Sequence, residues 1–504
     1  MDYKALTCTL IDYIEQSIKG KPNYHVMEQV IGYSYRHLRD IFQQTTKISL
    51  SRYILTRKIA NAAFELRHSS KSITDIAFDY DFTNPEVFTR AFRRNTGLTP
   101  SNFKRSSYLC GRRIICPGVY APVIHGLDNP LLTLHNFKEV NEMAEMVKTT
   151  DSCILYGVPR MGASGGADGL AQSTPFPMCL LSVLNYMGQN ISYAEIMACS
   201  GAAFRQRWDS NGWNVAAVDI RLTYEEHLKP FEFAFKGAGR SFKISENPDK
   251  PKSVTKGDAI ALIKAELDCG RPVIALGVVG PPEACIVTGY RNNGETLLGW
   301  SIFQDFWGGC EIDESGYFIK DNWWEETEAI MSIGEDIGSR IPDKKVLENG
   351  LMLMTTEEMR TYGGSDLFYG GQASYKAWAA ALEEETFPGK MADGTGAGDI
   401  GEAEQMLMGC QGDAEQMLWE GRGYAAVYMK MLAEAHPSAA KELSECANLL
   451  RAASDCVPGI WAAKEDSANM QDKQVRANIA ALIQKAAQYE QEACKFLKQA
   501  IDKM

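Results

Sequence analysis

The stretch SKSITDIAFDYDFTNPEVFTRAFRRNTGLTP, residues 70–100, contains the signals for two short helices and the turn that joins them. Ser72 and Asp75 have the spacing of a capping box, in which each side chain bonds the other's backbone N–H. Ile73, Ile76 and Ala77 then fall on one helical face, and the Tyr-Asp-Phe of residues 80–82 reads as the turn. A second helix is expected to start from a cap at Thr83 or Asn84. It would bury Val87, Phe88, Ala91 and Phe92 and leave Glu86, Thr89, Arg90, Arg93 and Arg94 facing outward.

The same idea occurs once before. In YSYRHLRDIFQQTTKISLSRYI, residues 33–54, Ser34 is a candidate N-cap and Leu38, Ile41 and Phe42 share one face. Tyr35, Arg36, His37 and Arg39 lie off that face. Between the two units, residues 49–69 read as one long helix offering Ile54, Ile59, Ala62, Ala63 and Leu66 for packing. Two helix-turn-helix units on one rod can present two helices to successive major-groove segments, ~34 Å apart.

Charge divides the chain at the same place. Residues 1–107 carry 16 basic and 10 acidic side chains, a net of +6, within a protein of 504 residues and net charge -12. A basic module fused to an acidic body is the footprint of a nucleic-acid binder with a further role attached. The whole is 45% hydrophobic and 23% charged, as in ordinary globular proteins, and long enough for about three domains. No uncharged run reaches the length of a membrane span, and the amphipathic start contains acids, unlike a signal peptide. A cytoplasmic location without membrane contact is expected. The 13 cysteines are scattered singly with no zinc-ligand spacing, so reduced thiols, no metal and no cofactor are expected.

The Ile-Ala-Phe of residues 76–78, the Phe-Thr-Asn of 82–84, the F-x-R-x-F-R-R of 88–94 and the GLTPSNFKR tail of 97–105 resemble the DNA-binding domain of the AraC/XylS family of bacterial transcription regulators. The resemblance covers residues 1–107. It implies that both recognition helices enter the major groove of double-stranded DNA. Arg36 and Arg39 in the first helix, and Glu86 and Arg90 in the second, would reach bases, with Tyr35 and Asn84 beside them. Arginine can hold guanine in a bidentate fork and glutamate can accept from cytosine. Arg93, Arg94, Lys104 and Arg105 would touch phosphate. Asp81 stands where the family usually has glycine. Aspartate tolerates the left-handed conformation better than most residues, so a small cost is expected there.

Residues 108–150 hold proline, glycine and short apolar runs without sustained period, and read as a linker. From 151 to 340 strands and helices alternate. TPFPMCLLSVLNYMG, residues 174–188, places Cys179 after two prolines at the head of an apolar helix, where the helix dipole would lower a thiol's pKa. Ser192 and Glu195 repeat the capping-box spacing, and Asn292, Asn293 and Gly294 read as a turn between two strands.

TPFPMCL, GRPVIALG and ACIVTGY resemble the papain-like fold, in particular the bacteriocin-leader peptidases and the butirosin biosynthesis protein H N-terminal family. That resemblance implies a cysteine–histidine site with Cys179 as nucleophile. In the related hydrolases the histidine starts the strand that ends in Gly-Tyr, yet here that place holds Glu283. None of the chain's seven histidines lies between His227 and His436. The expectation is therefore a catalytically incomplete domain whose cleft binds a small molecule, and not an enzyme. The alternative is a bifunctional regulator with cysteine-dependent acyltransferase or hydrolase activity through Cys179.

Aromatic rings with carboxylates beside them favour cations. Glu283 and Cys179, from the inherited cleft, with Trp208, Trp213, Trp300, Trp307 and Tyr290, are therefore the candidate ligand-binding residues, and a cationic, amphipathic effector is expected. Residues 341–504 carry apolar positions at helical spacing and read as an antiparallel bundle, either a lid or a homodimer face. The glycine-rich stretch 387–405 lacks the ending of a phosphate loop. The expected architecture is multidomain: an all-α double helix-turn-helix domain, then an α+β papain-like domain and an α-helical bundle.

Overall fold

The computed structural model describes residues 33–46, 50–68, 71–96, 99–105, 145–161, 170–246, 254–304, 310–313, 315–360, 366–384, 400–464 and 470–504, with residues 10, 14, 18, 19, 27 and 28 ahead of them. Most of the expected linker, Trp307 and most of the glycine-rich stretch lie outside the described residues, as do the side chains of Ala63, Arg94 and Arg105.

The N-terminal region is helical: α1 (Tyr35–Thr46), α2 (Leu50–His68), α3 (Ile73–Asp79), α4 (Pro85–Thr96) and α5 (Pro100–Arg105). It has two hydrophobic cores, and α2 serves both. Leu50, Tyr53 and Ile54, from its first turns, join Leu38 and Phe42 of α1 with Leu10, Ile14 and Met27. Further along, Ile59, Ala62 and Leu66 join Ile76 and Ala77 of α3, Tyr80 and Phe82 of the turn, and Phe88 and Phe92 of α4. At 19 residues, α2 is about 28 Å long.

The capping signals read from the sequence are realised. Ser72 Oγ accepts from Asp75 N at 3.1 Å, and Asp75 Oδ2 accepts from Ser72 N at 3.3 Å. Asp81 takes φ 61, and around it Phe82 N donates to Ala77 O and Asp81 N to Phe78 O, each at 3.0 Å. This pair of bonds is a Schellman motif, the usual device for ending a helix on a left-handed residue, with aspartate in the place of glycine.

Beyond residue 144 the chain divides between two compact units. One takes in residues up to 158 together with 164–169 and 277–327; the other takes in 159–163, 170–276 and 328–504. Neither unit coincides with residues 151–340 or 341–504. In the first, antiparallel strands run in the order Glu145–Lys148, Cys153–Tyr156, Ala284–Arg291, Thr296–Trp300, Phe318–Lys320 and Glu311–Ile312. The strand Glu145–Lys148 falls in the stretch expected as linker. Between the strands Ala284–Arg291 and Thr296–Trp300, Asn292, Asn293 and Gly294 all adopt positive φ, which asparagine and glycine tolerate best.

In the second unit, Ala329–Asp336 pairs antiparallel with both Arg240–Glu246 and Val273–Leu276. A further small sheet joins Glu358–Arg360, Leu367–Tyr369 and Trp208–Asp209, which the helical periodicity of the C-terminal region did not foretell. The long helix Lys473–Lys503 packs on Gly371–Glu383 and Ala440–Ser454, and the latter packs on Arg422–Ala435. These helices carry the apolar spacing seen in the sequence.

Candidate nucleic-acid interface

Two exposed polar helix faces emerge from the N-terminal cores. On α1, Ser34 caps the helix: its carbonyl accepts from Leu38 N at 2.9 Å and its hydroxyl from His37 N at 3.4 Å. Leu38, Ile41 and Phe42 are buried, so Arg36, His37 and Arg39 must face out, and all three are exposed. The Arg39 guanidinium lies 5.9 Å from the centroid of the half-buried Tyr35 ring, which limits how far that arginine can swing.

On α4, Asn84 supplies the cap, its Oδ1 accepting from Val87 N at 2.8 Å. Capping engages the amide oxygen of this exposed residue. Pro85 suits the first helical position, where no donor is needed. Burial of Phe88 and Phe92 turns Glu86, Arg90 and Arg93 to solvent. Arg94 has the same spacing, but its side chain lies outside the described residues. Lys104, expected at phosphate, donates to Lys71 O at 3.3 Å and so ties α5 to the start of α3.

Polar ties hold α3 and its turn to α2. Glu65 accepts from Tyr80 OH at 2.9 Å and Lys71 Nζ at 3.2 Å, and pairs with Lys19. Burial alone would raise the Glu65 carboxyl, but the hydrogen bonds from Lys19, Tyr80 and Lys71 bring it below its ordinary range. The Tyr80 hydroxyl is pushed up by burial and by that carboxylate. These ties were not read from the sequence. Glu65 and Tyr80 stand 15 positions apart across a helix break, beyond any local spacing rule.

The candidate ligand residues are distributed differently from the expectation. Cys179, Trp208 and Trp213 belong to one unit; Glu283, Tyr290 and Trp300 belong to the other. The helix around Cys179 begins earlier than read, at Pro175, because proline fits the first helical turn. Cys179 is thus the fifth residue of Pro175–Tyr186, within the helix instead of at its cap. Its side chain is fully buried and its Sγ donates to Met161 Sδ at 3.7 Å.

Trp208 and Trp213 are buried edge-to-face at 4.8 Å, and Trp208 stacks on Trp378 at 6.3 Å. The cavity that Trp208 lines is about 10 Å³, room for one water molecule at most. Tyr290 is buried in its strand, opposite Cys153 and Leu297. Trp300 packs edge-to-face on Tyr317 at 4.9 Å, and its Nε1 donates to Val158 O at 2.8 Å. Glu283 is half-buried, and its carbonyl accepts from Gly277 N at 3.2 Å.

The sequence reading also missed Glu420, in a π-helical turn, Met417–Gly421. Glu420 Oε1 accepts from Ser173 N at 2.6 Å and Tyr193 OH at 2.7 Å, and Oε2 accepts from Thr174 Oγ1 at 2.8 Å. It therefore holds the two residues that lead into the cysteine-bearing helix, whose N-cap Thr174 makes no side-chain cap bond of its own. Burial and this carboxylate push the Tyr193 hydroxyl well above its ordinary range.

A helix-turn-helix domain family matches residues 27–106. Regulatory protein SoxS of Salmonella typhimurium is 35% identical over 104 residues, 21% of this chain and 97% of that protein. Transcriptional regulator Rob of Salmonella typhimurium is 31% identical over 107 residues, 21% of this chain and 37% of that protein. The C-terminal domain of AraT, a response regulator from Geobacillus stearothermophilus, is similar over 22% of this chain and 94% of that chain, at 18% identity and TM-score 0.20. With nearly the whole of a small regulator matched in sequence over 104 residues, the chain belongs to the AraC/XylS family of helix-turn-helix DNA-binding transcription regulators.

Proposed function

We propose that this regulator reads its operator through two helices, with Arg36 and Arg39 of α1 and Glu86 and Arg90 of α4 on base edges, Tyr35 and Asn84 beside them, and Arg93 on phosphate. The observation that carries the reading is the shared rod. One helix, α2, anchors two separate cores, and each core turns one basic helix face to solvent. Such a chain can engage two major-groove segments as a monomer.

The region beyond residue 150 acts in this proposal as a sensor in the cytoplasm, binding a small molecule that favours one arrangement of the protein over another. The coupling can be no larger than the effector's difference in affinity for the two. Cys179 supports sensing over catalysis. A thiol buried against a thioether is not placed to attack a substrate, and the described histidines beyond residue 150 pair elsewhere, His227 with Glu246 and His436 with Asp343.

Selection of bound sequences from a random DNA pool with the full chain tests the DNA reading. A site with two conserved segments one helical turn apart is expected, with Arg36→Ala and Arg39→Ala relaxing one segment and Arg90→Ala the other. A single conserved segment would refute it. Cys179→Ala tests the sensing reading: effector-dependent DNA binding should survive the change, whereas loss of a turnover activity would favour an enzyme.

A further inference from the structure

Three turns of the second unit meet around an open, polar groove of about 590 Å³. They follow the helix Pro175–Tyr186, precede the strand Arg240–Glu246, and follow the strand Ala329–Asp336. Each turn holds a glycine at positive φ: Gly188 at 76°, Gly239 at 72° and Gly338 at 67°. At Gly188 and Gly338 an added Cβ would meet no heavy atom within 4 Å, so these two turns stand clear of their surroundings. Ile337 N donates to Gly239 O at 2.9 Å and fastens two of the turns together.

Two guanidiniums line the groove, and each is anchored by one nitrogen to a side chain that is itself pinned. Arg240 Nε donates to Gln189 Oε1 at 2.8 Å, while Gln189 Nε2 donates to Ala238 O at 2.5 Å. Arg340 Nη1 donates to Glu195 Oε1 at 3.2 Å, while Glu195 Oε2 accepts from Ser192 N and Oγ at 2.8 Å. Each arginine thus commits one of its five donors to being held in place. Asp336 stands directly across the strand pair from Arg240, and its Oδ1 accepts from Gly338 N at 2.7 Å. Asn190 and Ser339 complete a wall of hydrogen-bonding groups.

We propose that this groove binds a small molecule carrying a phosphate or carboxylate group together with hydroxyls. Pre-positioned guanidiniums match the planar, bidentate geometry of oxyanions, and Asp336, Asn190 and Ser339 suit hydroxyl partners. The volume lies within the range of small-molecule sites. The assignment concerns binding; that the ligand controls DNA affinity rests on the sensing role proposed above. An anion here takes the place of the cation expected from the aromatic residues, of which Trp208, Trp213, Tyr290 and Trp300 pack away from this groove.

Calorimetric titration of the full chain with glucose 6-phosphate, citrate and inorganic phosphate, with glucose as the neutral control, tests the site. Saturable binding of at least one anionic probe, weakened tenfold or more in Arg340→Gln and in Arg240→Gln, is expected. Arg340 is half-exposed, so its variant should fold even if Arg240→Gln does not. No saturable heat from any anion, or binding that survives Arg340→Gln, overturns the proposal. Arginine-dependent binding that leaves operator affinity unchanged would uphold the groove and refute the sensing role.

Discussion

Lys58 reaches from the middle of α2 to place its Nζ 3.5 Å from Asp81 Oδ2, the residue that carries the left-handed turn between α3 and α4. Burial holds the Lys58 ammonium below its ordinary pKa, with Asp81 opposing that shift. The residue that departs from the family's usual glycine is therefore also, with Tyr80 and Lys71, one of those that tie the second helix-turn-helix unit to the rod.

Asp81 has a strain and a compensation, and substitutions separate them. Asp81→Ala raises the left-handed cost and loses the ion pair, and should destabilise the N-terminal module by about 1–2 kcal/mol. Asp81→Gly relieves the strain and loses the same pair, and should cost about 1 kcal/mol less than alanine. Amide exchange across residues 72–96 of the full chain measures both. Equal losses would show that the left-handed conformation carries no cost here.

Glu65 should make the same module sensitive to acid. Its folded pKa is depressed from an ordinary 4.5, so its contribution is complete above that value and is lost as pH falls through the folded pKa. Urea midpoints taken from pH 7 down to pH 3 should therefore fall more steeply for the native chain than for Glu65→Gln. At neutral pH the substitution should cost about 1.5 kcal/mol, the scale of hydrogen bonds to a charged acceptor.

These two ties show where sequence reading stops. The caps at Ser34, Ser72 and Asn84 are legible because donor and acceptor lie three or four residues apart, inside one helical turn. The double helix-turn-helix was legible for the same reason, since its buried stripes repeat with helical period. Glu65 with Tyr80, Glu420 with Thr174 and the Trp208–Trp378 stack depend on tertiary folding, and no periodicity encodes them. Aromatic composition likewise could not tell a packed ring from a pocket wall: Trp208 and Trp213 have the residue types of a cation site and the burial of a core.

The two arginines of α4 should separate specificity from affinity. Arg90→Ala is expected to cost about 1–3 kcal/mol and relax preference at one base position. Arg93→Ala should weaken binding to all sequences alike and reduce the slope of log K against log salt by about 1. Filter binding across a salt series distinguishes them.

A buried ion pair anchors the C-terminal helices. Arg422 pairs with Glu490, whose Oε2 also accepts from Tyr375 OH at 2.7 Å, and Arg422 Nη1 donates to Arg205 O at 2.7 Å. Burial would lower the Arg422 guanidinium, but Glu490 beside it more than reverses the effect. Arg422→Met strands a fully buried carboxylate and should cost about 3–5 kcal/mol, while adding Glu490→Met should recover much of that loss. Thermal unfolding of the three chains is the check.

The hydrogen bonds from Thr174 to Glu420 join residues 246 positions apart. At a synthesis rate of about 5–20 residues per second, the start of the cysteine-bearing helix leaves the ribosome roughly 12–50 s before Glu420 exists. During that interval the helix can already pack on Tyr193–Cys199, Phe231 and Phe235, while the N–H groups of Ser173 and Thr174 lack their carboxylate acceptor. The apolar face of that helix is therefore provided for early in synthesis and its polar lead-in only late.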